Sequence, residues 1–435
     1  MSRTKQGTRL IAGLCSMLIA AACVGAGASS QPATAPAPSQ PASAPQATGA
    51  PSGQLSPKPA VAVATLPVAL PAGWQAATIP GISFGPLLAV SGERATFVGQ
   101  DPDRVDHVWS SSDGLAWQEA PNPGIPSGFV ARELIADGKS GLILVGERLD
   151  GEQATPGIWL SADGKTFRQA AVEDYLAGFP TAVPSSQLLP GATAEIVGAA
   201  AGSGAFVAFG DHSVGISATD AETGLDMWHS ADGQSWTHLR LSGSTGYEAR
   251  CVTSWKGGFA AVANTAAGRG YGVWLSADGV AWHKASDIPA DALTRITGFQ
   301  GGLVASGGAA DTKLGVVPAS WHSTDGVSWK MSTAGSGRPA VMFDDVVVAG
   351  DRLIGLASSH LGSRDAGSDP SATTSPSPSY EPPTLWITKD GMTWTAAGQS
   401  GPYDTYWPGC AALEGRLMVS VVGLGQAWIS TGNLP

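Results

Sequence analysis

A nine-residue phrase, Trp-x-Ser-x-Asp-Gly-x-x-Trp, returns along this chain and constrains its fold more than any other feature. It reads WSSSDGLAW from Trp109, WLSADGKTF from Trp159, WHSADGQSW from Trp228, WLSADGVAW from Trp274, WHSTDGVSW from Trp321 and WITKDGMTW from Trp386, with a broken copy, WISTGN, from Trp428. The seven copies stand roughly 42 to 69 residues apart, and a repeat of about 40 to 50 residues is the unit of a β-propeller blade. Asp-Gly between two apolar or alternating runs is a strong hairpin signal, because Gly supplies the positive φ that the turn needs. Asp113, Asp163, Asp232, Asp278, Asp325 and Asp390 are therefore read as structural turn residues whose carboxylates bond backbone N–H groups, while the flanking Trp or Phe rings fill the space between sheets.

Upstream of each phrase lies a short apolar run: RATFVGQ from Arg94, GLILVGER from Gly141, GAFVAFGDH from Gly204, GGFAAVAN from Gly257, GGLVASGG from Gly301, DRLIGLAS from Asp351 and GRLMVSVVG from Gly415. Continuous apolar runs suit strands buried on both faces, as stacked blades require. Another short strand precedes each run, such as CVTSW from Cys251, so the unit is inner strand A, then B, then C carrying the Trp, then D after the Asp-Gly turn. The last unit stops without a D strand, whereas GWQAATIPG from Gly73 is a D-like segment with no blade before it. The expected fold is all-β: a seven-bladed propeller of four-stranded antiparallel blades, closed by an N-terminal strand that completes the last blade.

The phrase resembles the Asp-box, or bacterial neuraminidase repeat, of sialidase-type propellers and of many non-enzymatic propellers. The usual pattern is Ser-x-Asp-x-Gly-x-x-Trp, and the spacing here, as in Ser111-x-Asp113-Gly114-x-x-Trp117, is one residue shorter. In sialidases the resemblance implies an arginine cluster, a Tyr/Glu nucleophile pair and a separate Asp acid. This chain departs from that set, since it has no Arg-Ile-Pro motif near its first blade and no arginine at the start of that blade's A strand.

The N-terminus reads as an export signal. Arg3, Lys5 and Arg9 precede the apolar run LIAGLCSMLIAAA, which is too short for an ordinary spanning helix. The run ends in Ala20-Ala21-Ala22-Cys23, which resembles a bacterial lipobox, so Cys23 is the expected site of lipidation. The alternatives are a secretory signal cleaved near Ala28 and a retained anchor. The expected organisation is a signal over 1–22, a lipidated Cys with an Ala/Pro/Ser-rich tether over 23–59, and the propeller over 60–435 with a low-complexity insert at 362–383. This implies an extracytoplasmic, membrane-anchored monomer. The first 22 residues hold three basic and no acidic groups, which leaves 21 basic against 35 acidic ones beyond them, a balance of −14. An acidic chain with no basic stripe argues against a nucleic-acid partner.

Of four cysteines, Cys15 falls in the signal, Cys23 at the lipobox, and Cys251 and Cys410 in A strands of blades four and seven. Two separate buried thiols are the favoured reading, with a disulfide as the alternative. In a propeller the D-to-A and B-to-C connections emerge on one face, and here they include 172–192, 212–225, 362–383 and 398–408. Long loops on a rigid scaffold are where binding resides.

At that loop-rich mouth Arg132, Arg250 and Arg295 begin A strands, with Glu195, Glu248, Asp344 and Asp345 nearby and Tyr247, Tyr403, Tyr406 and Trp407 on the connections. Arginines with aromatics suit a carboxylate or sugar, through bidentate hydrogen bonds and ring stacking. Equally, strand-start arginines pair with carboxylates of neighbouring blades.

The seven histidines, His107, His212, His229, His238, His283, His322 and His360, lack metal-ligand spacing. Asp101, Asp103 and Asp106 read as a solvated loop before a calcium site, and no cofactor motif stands in a credible context. Two functions follow: a non-catalytic propeller binding an envelope protein, peptide or glycan through its loop-rich face, or a sialidase-like glycoside hydrolase.

Overall fold

The computed structural model describes residues 73–139, 141–150, 153–174, 193–202, 204–215, 221–265, 270–335, 341–358, 384–399, 409–413, 415–423 and 426–433. Cys23, Tyr403, Tyr406, Trp407, the tether and the 362–383 insert lie outside them.

Among the described residues the first strand is β1 (Gln75–Pro80), and the blades follow one after another. Blade one is β2–β5 (Phe84–Ser91, Arg94–Gln100, Asp106–Ser111, Gln118–Glu119), and blade two is β6–β9 (Phe129–Ala136, Leu142–Asp150, Gln153–Ser161, Arg168–Gln169). After β10 (Ala171–Val172), blade three is β11–β14 (Thr193–Ala201, Phe206–Gly215, Ala221–Ser230, Ser235–Arg240). Blade four is β15–β18 (Tyr247–Trp255, Gly258–Thr265, Tyr271–Ser276, His283–Ile288), and blade five is β19–β22 (Ala292–Phe299, Gly302–Asp311, Gly315–Ser323, Lys330–Thr333). Blade six is β23–β26 (Met342–Ala349, Arg352–Ser358, Thr384–Thr388, Thr395–Gln399). Blade seven joins β27–β29 (Gly409–Leu413, Arg416–Gly423, Gln426–Asn433) to β1. The protein is a seven-bladed β-propeller.

Closure follows from register: β1 pairs antiparallel with β29, from Gln75 opposite Thr431 to Pro80 opposite Gln426. Its central residues are buried, Ile79 completely, so the strand fills the last blade's outer position with side chains as well as hydrogen bonds. Every contact between neighbouring blades then has its own apolar cluster. At the blade-seven to blade-one seam, Ile79, Met418 and Ile429 meet Phe97, Trp109 and Trp117. At the seam of blades four and five, Val262 and Val273 meet Ile296, Leu303 and Trp321. Seven such clusters occur among the described residues, one per seam, which is how unbroken apolar runs such as GFAAVANT in β16 are buried on both faces.

The Asp-Gly turns share one hydrogen-bond pattern. Asp278 Oδ1 accepts from the N–H groups of Val280 and Ala281, each at 2.8 Å, while Ser276 Oγ accepts from Gly279 N at 2.8 Å and donates to Asp278 Oδ1 at 3.0 Å. The Trp282 indole N–H closes the motif on Gly279 O at 2.9 Å. Asp113, Asp163, Asp232, Asp325 and Asp390 each accept two backbone N–H groups in the same way. Those N–H groups hold the Asp278 carboxyl below its ordinary value. Gly279 is needed twice over: its φ is +80°, and a Cβ there would stand 2.8 Å from Val207 Cγ1 of the preceding blade.

Two features depart from the sequence reading. Blade three gains a fifth strand, because β10 leaves blade two and pairs parallel with β14, Ala171 opposite Ser235 and Val172 opposite Trp236. The expected loop at 212–225 is mostly strand, since β12 and β13 stay paired out to Gly215 and Ala221. The A-to-B and Asp-Gly turns occupy one face, called here the turn face, and the D-to-A and B-to-C connections the other, the loop face.

Candidate functional site at the channel mouth

The A strands β2, β6, β11, β15, β19, β23 and β27 stand innermost, each packed against those of its two neighbours. Near the loop face β6, β11, β15, β19 and β23 each slip register against the B strand, leaving Arg132, Val197, Arg250, Thr294 and Asp344 as the extra residues. A bulge of this kind re-aims the side chains around it. The residues that follow are Glu133, Gly198, Cys251, Arg295 and Asp345, and they build a polar network at the axis.

Arg295 is its centre. Its Nη1 donates to Glu133 Oε1 at 2.7 Å, and its Nε lies 3.1 Å from Asp345 Oδ1. Glu133 Oε2 accepts from Ala199 N at 2.7 Å, and Asp345 Oδ2 from Cys410 N at 3.0 Å. These bonds tie together A strands of blades two, three, five, six and seven, and the Glu133–Arg295 bond joins blades that are not neighbours. The missing side chain of Gly198 makes room, since a Cβ there would stand 2.8 Å from Glu133 Oε2. Burial pushes the Glu133 carboxyl above its ordinary value against the pull of Arg295. The charges of Asp345 and Glu133 together outweigh burial at Arg295 and hold its guanidinium firmly protonated.

Arg132 is engaged chiefly within its own blade, by Glu147, and reaches toward Glu195 of blade three. Its Nη2 lies 2.6 Å from Glu147 Oε1 and 3.7 Å from Glu195 Oε2, and its Nε donates to both Glu147 oxygens, at 2.9 and 3.1 Å. The Glu147 side chain is 2 % exposed, and burial raises its pKa even beside that arginine. Arg250 differs: it is half-buried, its Nε is buried without a hydrogen bond, and it has no ion-pair partner among the described residues. Nearby, Asp211 Oδ2 accepts from Ala249 N at 2.7 Å, and burial, with the charges of Glu195 and Glu248, pushes its pKa up to about 7. Glu248 is exposed. Tyr247 sets its ring edge-on to Trp274 at 4.8 Å, with Lys284 Nζ 5.4 Å from its centroid.

Of the candidate residues, the fold thus gathers Arg132, Arg295 and Asp345 into ion pairs at the mouth and leaves Arg250 outside them. Cys251 and Cys410 are both free and buried, and burial raises the Cys251 thiol to about 12. Glu133 and Glu147 escaped the sequence reading, although Glu133 directly follows Arg132; only the bulge aims it at the axis. A second cluster was also hidden. In blade three the wholly buried Asp226 bonds His212 Nδ1 at 2.7 Å and His238 Nε2 at 2.9 Å. In blade one His107 lies between Asp101 Oδ2 at 3.2 Å and Glu119 Oε1 at 3.0 Å. Among the described residues no three His, Cys, Asp or Glu side chains are grouped so as to hold a metal ion.

No protein-family model matches the chain, and no curated protein matches it. Among solved structures the chain is similar to Trypanosoma rangeli sialidase at 10% identity and a TM-score of 0.46, over 82% of this chain and 59% of that one. It is also similar to a Hadza microbial sialidase at 15% identity and a TM-score of 0.40, over 68% and 63% of the two chains. A third similar structure is Pyrococcus horikoshii acylaminoacyl peptidase, at 9% identity and a TM-score of 0.43, over 78% and 49%. The chain spans about three fifths of the length of the two sialidases.

Proposed function

We propose that this chain is an extracytoplasmic propeller, anchored through a lipid on Cys23, that binds an envelope protein, peptide or glycan at its loop face without catalysis. The observation that carries the reading is the commitment of the mouth arginines. Arg295 is held between Glu133 and Asp345, and Arg132 is held by Glu147. An arginine saturated by protein carboxylates is not offered to the carboxylate of a substrate. The charge of the mouth supports the same reading. Glu133, Glu147, Glu195 and Asp345 pair with or lie close to Arg132 and Arg295, and Glu195 and Glu248 act on Asp211, a field that disfavours an anionic sugar. Arg250 and the 398–408 connection are the remaining candidates for ligand contact.

The test is direct. Purified protein is expected to leave a chromogenic sialoside intact, while a glycan array or an affinity capture from envelope extract returns a partner. Retention of that partner should fall at least tenfold in Arg250→Ala or when 400–408 is replaced by a Gly/Ser linker. Sialoside turnover that disappears in Arg250→Ala overturns the binding reading in favour of a glycoside hydrolase.

A further inference from the structure

Four of the most exposed large apolar side chains share one sector of the turn face: Val280 at 48 %, Val327 at 52 %, Met331 at 54 % and Val348 at 44 %. Val280 and Val327 follow the Asp-Gly turns of blades four and five, Met331 lies in the strand just beyond, and Val348 precedes the A-to-B turn of blade six. Single exposed apolar residues are ordinary, whereas a group on one face marks a contact surface.

The turns that carry this group are stitched together. The Trp255 indole N–H donates to Gly301 O at 3.2 Å, Lys256 Nζ to Thr324 O at 2.6 Å, and Gln300 Nε2 to Asp351 O at 3.0 Å. Lys256 and Gln300 make those bonds from left-handed backbone, at φ 50° and 46°, a conformation that persists in a side-chain-bearing residue only where its surroundings enforce it. The apolar tips therefore stand on one continuous and rigid surface. Among the charged residues of these turns, Lys256 is bonded to Thr324 O, Lys389 Nζ lies 3.3 Å from Asp351 Oδ2, and Asp278, Asp325 and Asp390 are each turned onto two backbone N–H groups, while Lys330 is exposed beside Met331.

The direction of β1 indicates what covers the surface. Gln75 lies opposite Thr431 near the turn face and Pro80 opposite Gln426 near the loop face, so the residues before Gly73 join the propeller on the turn face. We propose that the turn face of blades four to six rests on a lipid bilayer, with Val280, Val327 and Met331 entering the headgroup layer and Lys330 among its phosphates. Exposed apolar tips with a lysine beside them are side chains that such an interface takes up. The channel mouth then points away from the membrane, toward a ligand. The inference rests on the anchored reading above, and the experiment separates the two.

The full chain, reconstituted in phosphatidylethanolamine–phosphatidylglycerol vesicles, carries an environment-sensitive dye at Val327→Cys or, on the loop face, at Leu149→Cys. Both positions are about half exposed, and Cys251 and Cys410 are buried, so the parent chain supplies the labelling background. Vesicles are expected to cut iodide quenching at position 327 at least roughly threefold, with a blue shift of emission, and to leave position 149 unchanged. Equal quenching at the two positions in a chain that floats with vesicles overturns the bilayer contact alone. A chain that does not float with vesicles overturns the anchored reading and this inference with it.

Discussion

At the scale of single residues, Asp106 shows what burial does to a carboxyl. It opens β4, is 6 % exposed, and neither carboxylate oxygen meets a well-formed hydrogen-bond partner among the described residues, although Gln100 opposite it offsets part of the burial. Burial raises its pKa from 3.8 to about 7. The unfolded chain gives up this proton near pH 4 and the folded chain only near pH 7, so the group's contribution to stability is complete below pH 4. It is lost as pH rises through about 7. Asp106→Asn should therefore remove a decline of about 2 to 4 kcal/mol between pH 4 and pH 7.5, so that its urea midpoint overtakes the wild-type midpoint at the upper pH. Parallel pH profiles for the two proteins would show that Asp106 ionises freely in the fold. The same scale separates what the chain's order reveals from what it conceals. The turn aspartates were legible because their partners lie two and three residues away in sequence, as Asp278 with Val280 and Ala281. The partners of Arg295 were not, because Glu133 lies 162 residues away and reaches it only through bulges that no local pattern announces.

At the scale of elements, the strand that matters most is the one displaced furthest in sequence. β1 supplies the outer strand of blade seven and buries Ala76, Ala77, Thr78 and Ile79. Its removal leaves an open edge on β29 and uncovers Phe97, Trp109 and Trp117 at the seam with blade one. Deleting 60–80 is thus expected to lower the thermal midpoint by about 10 °C or more, whereas deleting 30–55 should move it by no more than about 1 °C. Equal midpoints for the two deletions would mean that the ring closes without β1. This strand was legible because counting the repeats left one vacancy and one surplus segment. β10 was not, because Ala171 and Val172 carry no pattern that distinguishes pairing with Trp236 from continuation of blade two. The B-to-C hairpin of blade three was misread for a related reason: DHSVG and ETGLD look like turn chemistry, yet they pair across β12 and β13.

At the scale of the whole molecule, two kinds of contact hold the ring. The seven apolar seams join each blade to its neighbours, and the axial network joins blades that do not touch, through Glu133 in blade two and Arg295 in blade five. Such a network places two carboxylates on one guanidinium, so its contribution depends on every member being present. Arg295→Met retains much of the side chain's bulk but strands Glu133 and Asp345, each 13 % exposed, beside one another. The expected loss is about 2 to 4 kcal/mol in urea unfolding, toward the lower part of the range for a broken buried pair because the guanidinium itself keeps 36 % exposure. Adding Glu133→Gln and Asp345→Asn should then recover more than half of the loss, because two uncharged amides need no counter-ion. A triple variant no more stable than Arg295→Met would assign the axis to packing rather than charge. Recovery would identify the network as an electrostatic clasp that braces the ring across its centre and keeps Arg295 committed to Glu133 and Asp345.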